Sequence, residues 1–194
     1  MKILIFLNSL AGGGTERVAA TLANFWARKQ WHVTVVTLNP ESDDFYRLDP
    51  LVNRISLDLA GQSGGILDAL RQNGRRIAAL RRIIKEVRPA VALSMMSTPN
   101  VLLAFAGHKL TGLCTVGSEH CYPPHSPLGR IWGTLCSKMY GRLSAVVALT
   151  NECAGWVRTH SAATRVPVIP NAVVWPLPDN SPMIAPDSLC LVGG

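Results

Sequence analysis

The chain has 194 residues, 48% of them hydrophobic and 16% charged, and carries a formal charge of +7. That is enough for one α/β domain with a proper core and too little for two full ones, and the apolar content excludes an intrinsically disordered chain. Five scattered cysteines, odd in number and without a C-x-x-C pair, speak against a disulfide framework and fit a reducing cytoplasm, while the positive charge calls for an anionic partner: nucleic acid, a membrane face or a phosphorylated small molecule.

The chain opens on "MKILIFLNSLA", which has the look of a signal peptide. Its unbroken apolar core, Ile3 to Leu7, stops at Asn8-Ser9, short of an h-region of about 7–15 residues, so a buried first strand is the better reading. Gly12-Gly13-Gly14 follow, then a helical pattern over 15–29 that puts Val18, Leu22, Phe25 and Trp26 on one face for packing against a sheet. Further strand-length apolar runs are "HVTVVTL", "VNRISL", "AVALSM", "LCTVGS", "AVVALT" and "VPVIP". Helical patterns over 67–87, 100–110, 127–140 and 151–160 alternate with them. Strands alternating with helices predict a doubly wound parallel sheet, Rossmann-like, with helices on both faces. No window reaches the roughly 18 apolar residues of a membrane span, so any membrane contact is expected to be peripheral. From Trp175 the four prolines of "WPLPDNSPMIAPD" read as a linker over 175–187. "SLCLVGG", residues 188–194, then repeats the strand-and-glycine opening, as if beginning a second domain; the first domain is expected over 1–174.

Ligands of open parallel sheets bind beyond the carboxyl ends of the strands. Those ends carry Asn8 and the glycines, Ser97-Thr98, Glu119-His120, Thr150-Asn151 and Asn171; at Thr98, Thr150 and Asn151 helix capping is the preferred explanation. Three glycines between a strand and a helix let backbone N–H groups approach an anion at the positive end of the helix. The bland alternative is a plain connection with Thr15 as N-cap and Glu16 favoured by the helix dipole. A P-loop would need Gly-Lys-Ser/Thr where Gly14-Thr15-Glu16 stands. A dinucleotide fingerprint fails at Arg17 and at the second strand, which ends in Thr37 and Asn39 without an acidic ribose ligand. "HCYPPH" brings His120, Cys121 and His125 close in sequence, but without a second ligand pair no metal site is expected.

"NSLAGGGTERVAATLANFWARKQWHVTVVT" resembles the opening of the family 4 glycosyltransferases of GT-B fold. "RPAVALSMMSTPNVLLAFAG", "TVGSEH", "LSAVVALTNE" and "VPVIPNAV" are similar to that family's N-terminal domain in order and spacing, and "LCLVGG" to the strand that opens its donor-binding domain. The resemblance covers residues 1–174. It implies a retaining, usually metal-independent transfer of sugar from a nucleotide-sugar donor to a glycan or lipid-linked acceptor held by this domain, with no cofactor. By position, Gly12, Gly13, Gly14 and Thr15 would lie at the cleft near the donor's phosphates, and Asn171 would close the domain, although a turn or a helix cap explains Asn171 equally well. His120 matches a histidine beside the reacting sugar, where an imidazole can hydrogen-bond a hydroxyl or the leaving phosphate; a structural histidine at a strand end is the alternative. Glu119 is its companion candidate for catalysis, with orientation of the loop as its other reading. Because the family's donor motif belongs to the second domain, these residues alone are expected to be inactive, and a non-catalytic module binding a phosphorylated or lipid acceptor at the membrane surface is the rival reading.

Residues 66–88 hold seven basic side chains against Asp68 and Glu86, which is +5 of the net +7. At helical spacing Arg71, Arg75, Arg82 and Lys85 form one stripe, and Leu70, Ile77, Leu80, Ile84 and Val87 lie on the opposite side. The stripe suits the pyrophosphate or anionic headgroups of a lipid at the cytoplasmic face of a membrane, with an ordinary solvated helix face as the alternative. A nucleic acid is disfavoured, since no aromatic residue interrupts 66–88 to stack on bases.

Overall fold

The computed structural model describes residues 1–61, 64–126 and 128–171. Six parallel strands form one sheet in the order β3-β2-β1-β4-β5-β6: β1 (Lys2–Leu7), β2 (His32–Thr37), β3 (Asn53–Ser56), β4 (Val91–Met95), β5 (Cys114–Glu119) and β6 (Ala145–Ala148). This is the order of doubly wound dinucleotide-type sheets. β1 is central and apolar on both faces, with Ile5 registered against Val35 on one side and Leu93 on the other. Strand order reverses between β1 and β4, and such a switch point leaves a crevice at the carboxyl ends of the two strands.

Among the described residues five α-helices cover the sheet unequally. α2 (Ile66–Val87), α3 (Ser97–Ala106), the end of α4 (Arg130–Met139) and α5 (Asn151–His160) share one face with Leu4, Phe6 and Val36. α1 (Gly14–Arg28) alone packs on the other, over Ile3, Ile5, Val33 and Val35. Its inward surface is made of small residues, Ala19, Ala23 and Ala27, so the helix sits close to the strands. That closeness corrects the expected packing face: Leu22 and Trp26 pack on the flank, but Phe25 turns out to solvent, 53% exposed, under the Lys29 ammonium 5.7 Å away.

α2 runs uninterrupted through Gly74 and ends where Arg88 adopts a left-handed backbone, φ 50°. Leu80, Ile83 and Ile84 enter the core, whereas Leu70, expected inside, is 67% exposed because it lies toward the helix start, where α2 has left the sheet's inner layer. α3 begins three residues earlier than the periodic pattern predicts. Pro99 falls in its first turn, where the missing N–H has no helical partner to lose. Thr150 caps α5, its hydroxyl accepting from the Cys153 N–H at 3.1 Å. The seventh apolar run, "VPVIP", does not form a strand: it follows β6 with a single bridge, Ala148 to Val168, since Pro167 and Pro170 have no N–H for a ladder. The expected linker at 175–187 and the strand at 188–194 lie outside the described residues, as does Pro127.

β5 approaches α3 so closely that a Cβ on Gly117 would meet Asn100 at 2.9 Å and Leu143 at 2.8 Å. Gly117→Ala is therefore expected to destabilise the fold by about 1–3 kcal/mol through overpacking. A urea unfolding curve reads this directly, and an unchanged midpoint would contradict it.

Candidate functional site

Three crossovers meet at the switch point. The first is the bend after β1. Leu10 carbonyl accepts from the Phe45 and Tyr46 N–H groups, and the Tyr46 hydroxyl donates to Gly13 carbonyl at 2.9 Å, so the segment after β2 holds the bend from below. α1 starts at Gly14 with Gly13 as its N-cap and no side chain capping it; Thr15, the expected cap, lies one residue inside the helix. Gly12 and Gly14 are exposed. A Cβ on Gly14 would meet nothing within 4 Å, one on Gly12 only the Phe45 ring at 4.0 Å, and one on Gly13 would strike the Glu16 carboxylate. Gly13 itself is extended, φ −165°, a conformation open to any residue. Neither backbone strain nor crowding by the fold explains glycine at 12 and 14. The bend is open at Gly12 and Gly14, beside N–H groups of a helix start that have no helical partner, with the Glu16 carboxylate lying against Gly13.

The second crossover follows β4. Met96 has φ 79°, a left-handed conformation that strains a side chain of this size. Its N–H is fixed by Ser118 carbonyl at 2.9 Å, and its sulfur accepts the Thr15 hydroxyl at 3.5 Å, tying this turn to the glycine bend.

The third follows β5, and here alternation along the strand decides what each side chain does. Val116, Ser118 and His120 look to the α1 face; Gly117 and Glu119 look to the other. Sequence neighbours grouped as one catalytic pair are thus directed to opposite sides of the sheet. Glu119 is 1% exposed. Its carboxyl accepts from Ser97 Oγ at 2.9 Å, from Asn100 Nδ2 at 3.2 Å and from the Tyr140 hydroxyl. Asn100, fully buried, is itself held by the Ser94 hydroxyl at 2.7 Å and by both backbone groups of Ser118. No salt bridge reaches the carboxyl among the described residues. Burial therefore pushes its pKa up, against the smaller downward pull of Tyr140, Ser97 and Asn100.

His120 is half-buried and bonded through Nε2 to Ser118 Oγ at 3.2 Å. Desolvation pushes its pKa down, which favours the neutral ring with one donor and one acceptor. It lines a groove of about 400 Å3 along the part of the sheet that α1 leaves uncovered, together with Ser118, Leu93, Val147, Ile169 and Asn171. The structure thus joins His120 to Asn171 in one groove, and the glycine bend to Met96 and Ser97 at the crevice. Among the described residues no cluster of three His, Cys, Asp or Glu side chains forms, and the His125 ring lies instead against Tyr122, 5.0 Å away.

On α2 the four stripe residues Arg71, Arg75, Arg82 and Lys85 are exposed, with Arg82 3.7 Å from Glu86. Arg76 and Arg81, omitted from the stripe, are spent on backbone carbonyls: Leu59 and Gly61 for the first, Ala106 and His108 for the second. No helix among the described residues is long and apolar enough to cross a membrane. Sequence reasoning missed Asn100 and Tyr140. Asn100 left a trace, as a lone amide opening the apolar run "NVLLAFA"; Tyr140 left none.

The model of Glycosyltransferase Family 4 matches residues 12–174. The chain belongs to that family. Comparison with curated proteins gives no match. Among solved structures this family member resembles sucrose-phosphate synthase from Thermosynechococcus elongatus, at 12% identity and a TM-score of 0.67, over 88% of this chain and 48% of the other. It is also similar to the lipopolysaccharide outer core galactosyltransferase WaaB, at 13% identity and a TM-score of 0.63, over 93% and 50%. Anabaena HepE, solved with UDP and glucose, matches at 15% identity and a TM-score of 0.62, over 89% and 45%. At such identities the likeness concerns the fold, and the chain spans about half the length of these proteins.

Glu119 gives this family member a pH dependence of known sign. With its folded pKa above the unfolded one of about 4.3, the carboxyl's stabilisation is complete below that value and is lost as pH rises toward the folded pKa. Unfolding free energy should fall by about 1.4 kcal/mol per pH unit within the window. Glu119→Gln, which keeps the shape without the ionisation, should flatten that slope in urea midpoints measured from pH 4 upward. An equal slope in both proteins would show that another group is responsible.

Proposed function

We propose that this domain is the acceptor-binding half of a retaining glycosyltransferase that moves a sugar from a nucleotide-sugar donor to a lipid-linked or glycan acceptor. The observation that carries the reading is the open glycine bend. Two positions have room for a side chain and no conformational need for glycine, as a surface kept clear for close approach of a ligand would require. A diphosphate there would meet free N–H groups at the positive end of α1. HepE carries UDP and glucose, and WaaB acts on lipopolysaccharide core, which supports a nucleotide diphosphate donor and an amphipathic acceptor for this chain as well.

In the transfer the bond between the anomeric carbon and the donor phosphate breaks, and a bond from that carbon to an acceptor hydroxyl forms on the same face. The nucleoside diphosphate leaves, and its phosphate oxygen takes the hydroxyl proton. His120, neutral and facing its groove, hydrogen-bonds a sugar hydroxyl in this reading; Glu119 acts through the loop that carries His120 and touches no substrate. The reaction needs no metal and no cofactor, and the rest of the donor belongs to a second domain. The exposed stripe Arg71, Arg75, Arg82 and Lys85 holds the enzyme to an anionic membrane surface on the cytoplasmic side, each cation near such a surface being worth about 1 kcal/mol.

Two measurements test this. In the protein continued into its donor domain, with a panel of nucleotide sugars and a polyprenyl-pyrophosphate acceptor, His120→Ala and Gly14→Val should each lower kcat/KM by roughly 10²-fold; transfer undiminished in both would overturn the site. Charge reversal at Arg75 and Arg82 should abolish cosedimentation with phosphatidylglycerol vesicles, and binding that persists would remove the stripe from the account.

A further inference from the structure

α2 and α4 both pack on α3, and above it they part. The gap is an apolar slot of about 650 Å3, inside the range of about 300–1,000 Å3 typical of small-molecule sites. Its floor is Val101 and Leu102 of α3, both fully buried; its walls are Gly74 and Ile77 of α2 and Ile131 and Trp132 of α4. The one amide in the lining, Asn73, is already committed, donating to Ala69 carbonyl and accepting from Arg76. A ligand in the slot would find almost no hydrogen-bonding partner along its length, which selects for hydrocarbon.

The mouth adds two facts. Leu70 and Ile131, both in the lining, are each 67% exposed, so two large apolar side chains stand in water at the opening, and Leu67, 83% exposed, precedes Leu70 by one turn of α2. Beside them positive charge predominates. Arg71 follows Leu70, and Arg130 lines the slot itself, whereas Arg75 faces a separate hollow with Asp58, Leu59 and Gln72. The acidic neighbour, Asp68, keeps its charge and is turned to the Gln72 amide and the Gly64 N–H. In a parallel sheet the crossover helices start at the carboxyl edge. The slot is lined by the first halves of α2 and α4 and by the middle and end of α3.

We infer that this slot binds the hydrocarbon chain of a single anionic lipid, with its phosphate-bearing head held at the mouth by Arg130 and Arg71. The inference deepens the acceptor reading above and rests on it only for the identity of that lipid as the acceptor. Charge complementarity chooses a lipid over an apolar partner protein, because among the described residues two guanidinium groups, Arg71 and Arg130, stand at the rim against the single carboxylate of Asp68. Depth chooses a single enclosed chain over a flat bilayer contact, because the floor lies beneath the exposed leucines.

Titration calorimetry on the 194-residue chain tests it with three probes below their micellar concentrations: farnesyl pyrophosphate, dodecyl phosphate and inorganic pyrophosphate. Farnesyl pyrophosphate should bind at least about tenfold tighter than pyrophosphate. Gly74→Phe places a ring in the slot at a position where a Cβ meets nothing within 4 Å, and should erase that preference. Gly74→Ala should keep it. If Gly74→Phe fails to fold by circular dichroism, Ile131→Glu, at a 67% exposed site, puts a like charge at the mouth and should erase the preference equally. Tight binding of dodecyl phosphate as well assigns the slot to hydrocarbon chains in general, and its absence to isoprenoids; both support the inference. Equal affinity for pyrophosphate and farnesyl pyrophosphate overturns it, as does a preference that survives in folded Gly74→Phe. Vesicle binding without farnesyl pyrophosphate binding overturns it in favour of surface insertion. Full activity in His120→Ala would sink the transferase site and leave the slot standing, so the two failures are distinguishable.

Discussion

A single buried carboxyl organises the edge of this domain where the proposed site lies. Glu119 ends β5, and the three groups that bond it come from α3, twice, and from the turn after α4. Each donor would be costly to leave unsatisfied in so enclosed a place, so the helix and turn are fixed in position relative to the strand. Asn100 extends the same network to Ser94 on β4 and to the backbone of Ser118. The side chain next along the strand in either direction then points the other way, toward the groove that holds His120. A polar network inside one face of the sheet thus sets the direction of an imidazole on the other.

The glycine bend belongs to the same frame. Thr15 reaches Met96, and Met96 is locked to Ser118 through its N–H, so the first, second and third crossovers form one continuous set of contacts. Met96 pays for its place with a left-handed backbone, and the network around it is what holds the strained geometry. Rigid support beneath an open surface is the arrangement a phosphate site requires, since donors that need not reorganise bind charge most effectively.

Much of the architecture is legible in the sequence because parallel strands covered on both faces read as unbroken apolar runs. The alternation of those runs with helical patterns gives the doubly wound sheet, and the bend, His120 and the basic stripe stand at recognisable places in it. Other features depend on contacts that spacing cannot show. Phe25 and Leu70 fit their helices' apolar periodicity, yet no described residue covers them, and periodicity reports a face without reporting what it meets. Glu119 at a strand end reads as a surface acid beside His120, and only the pleat, together with donors from two distant segments, turns it inward. The slot between α2 and α4 is likewise invisible, because it exists through the separation of two helices that are 43 or more residues apart in the chain.

The placement of β1 at the centre of the sheet also has a meaning for how the chain comes into being. Ile3 is aligned with Val91, so one edge of this strand, apolar from Ile3 to Leu7, has no partner until β4 has been made. At about 5–20 residues per second, a ribosome needs on the order of 10 s to deliver it. Through that interval the nascent polypeptide carries a naked, sticky ribbon, which makes early chaperone capture a natural companion of its birth.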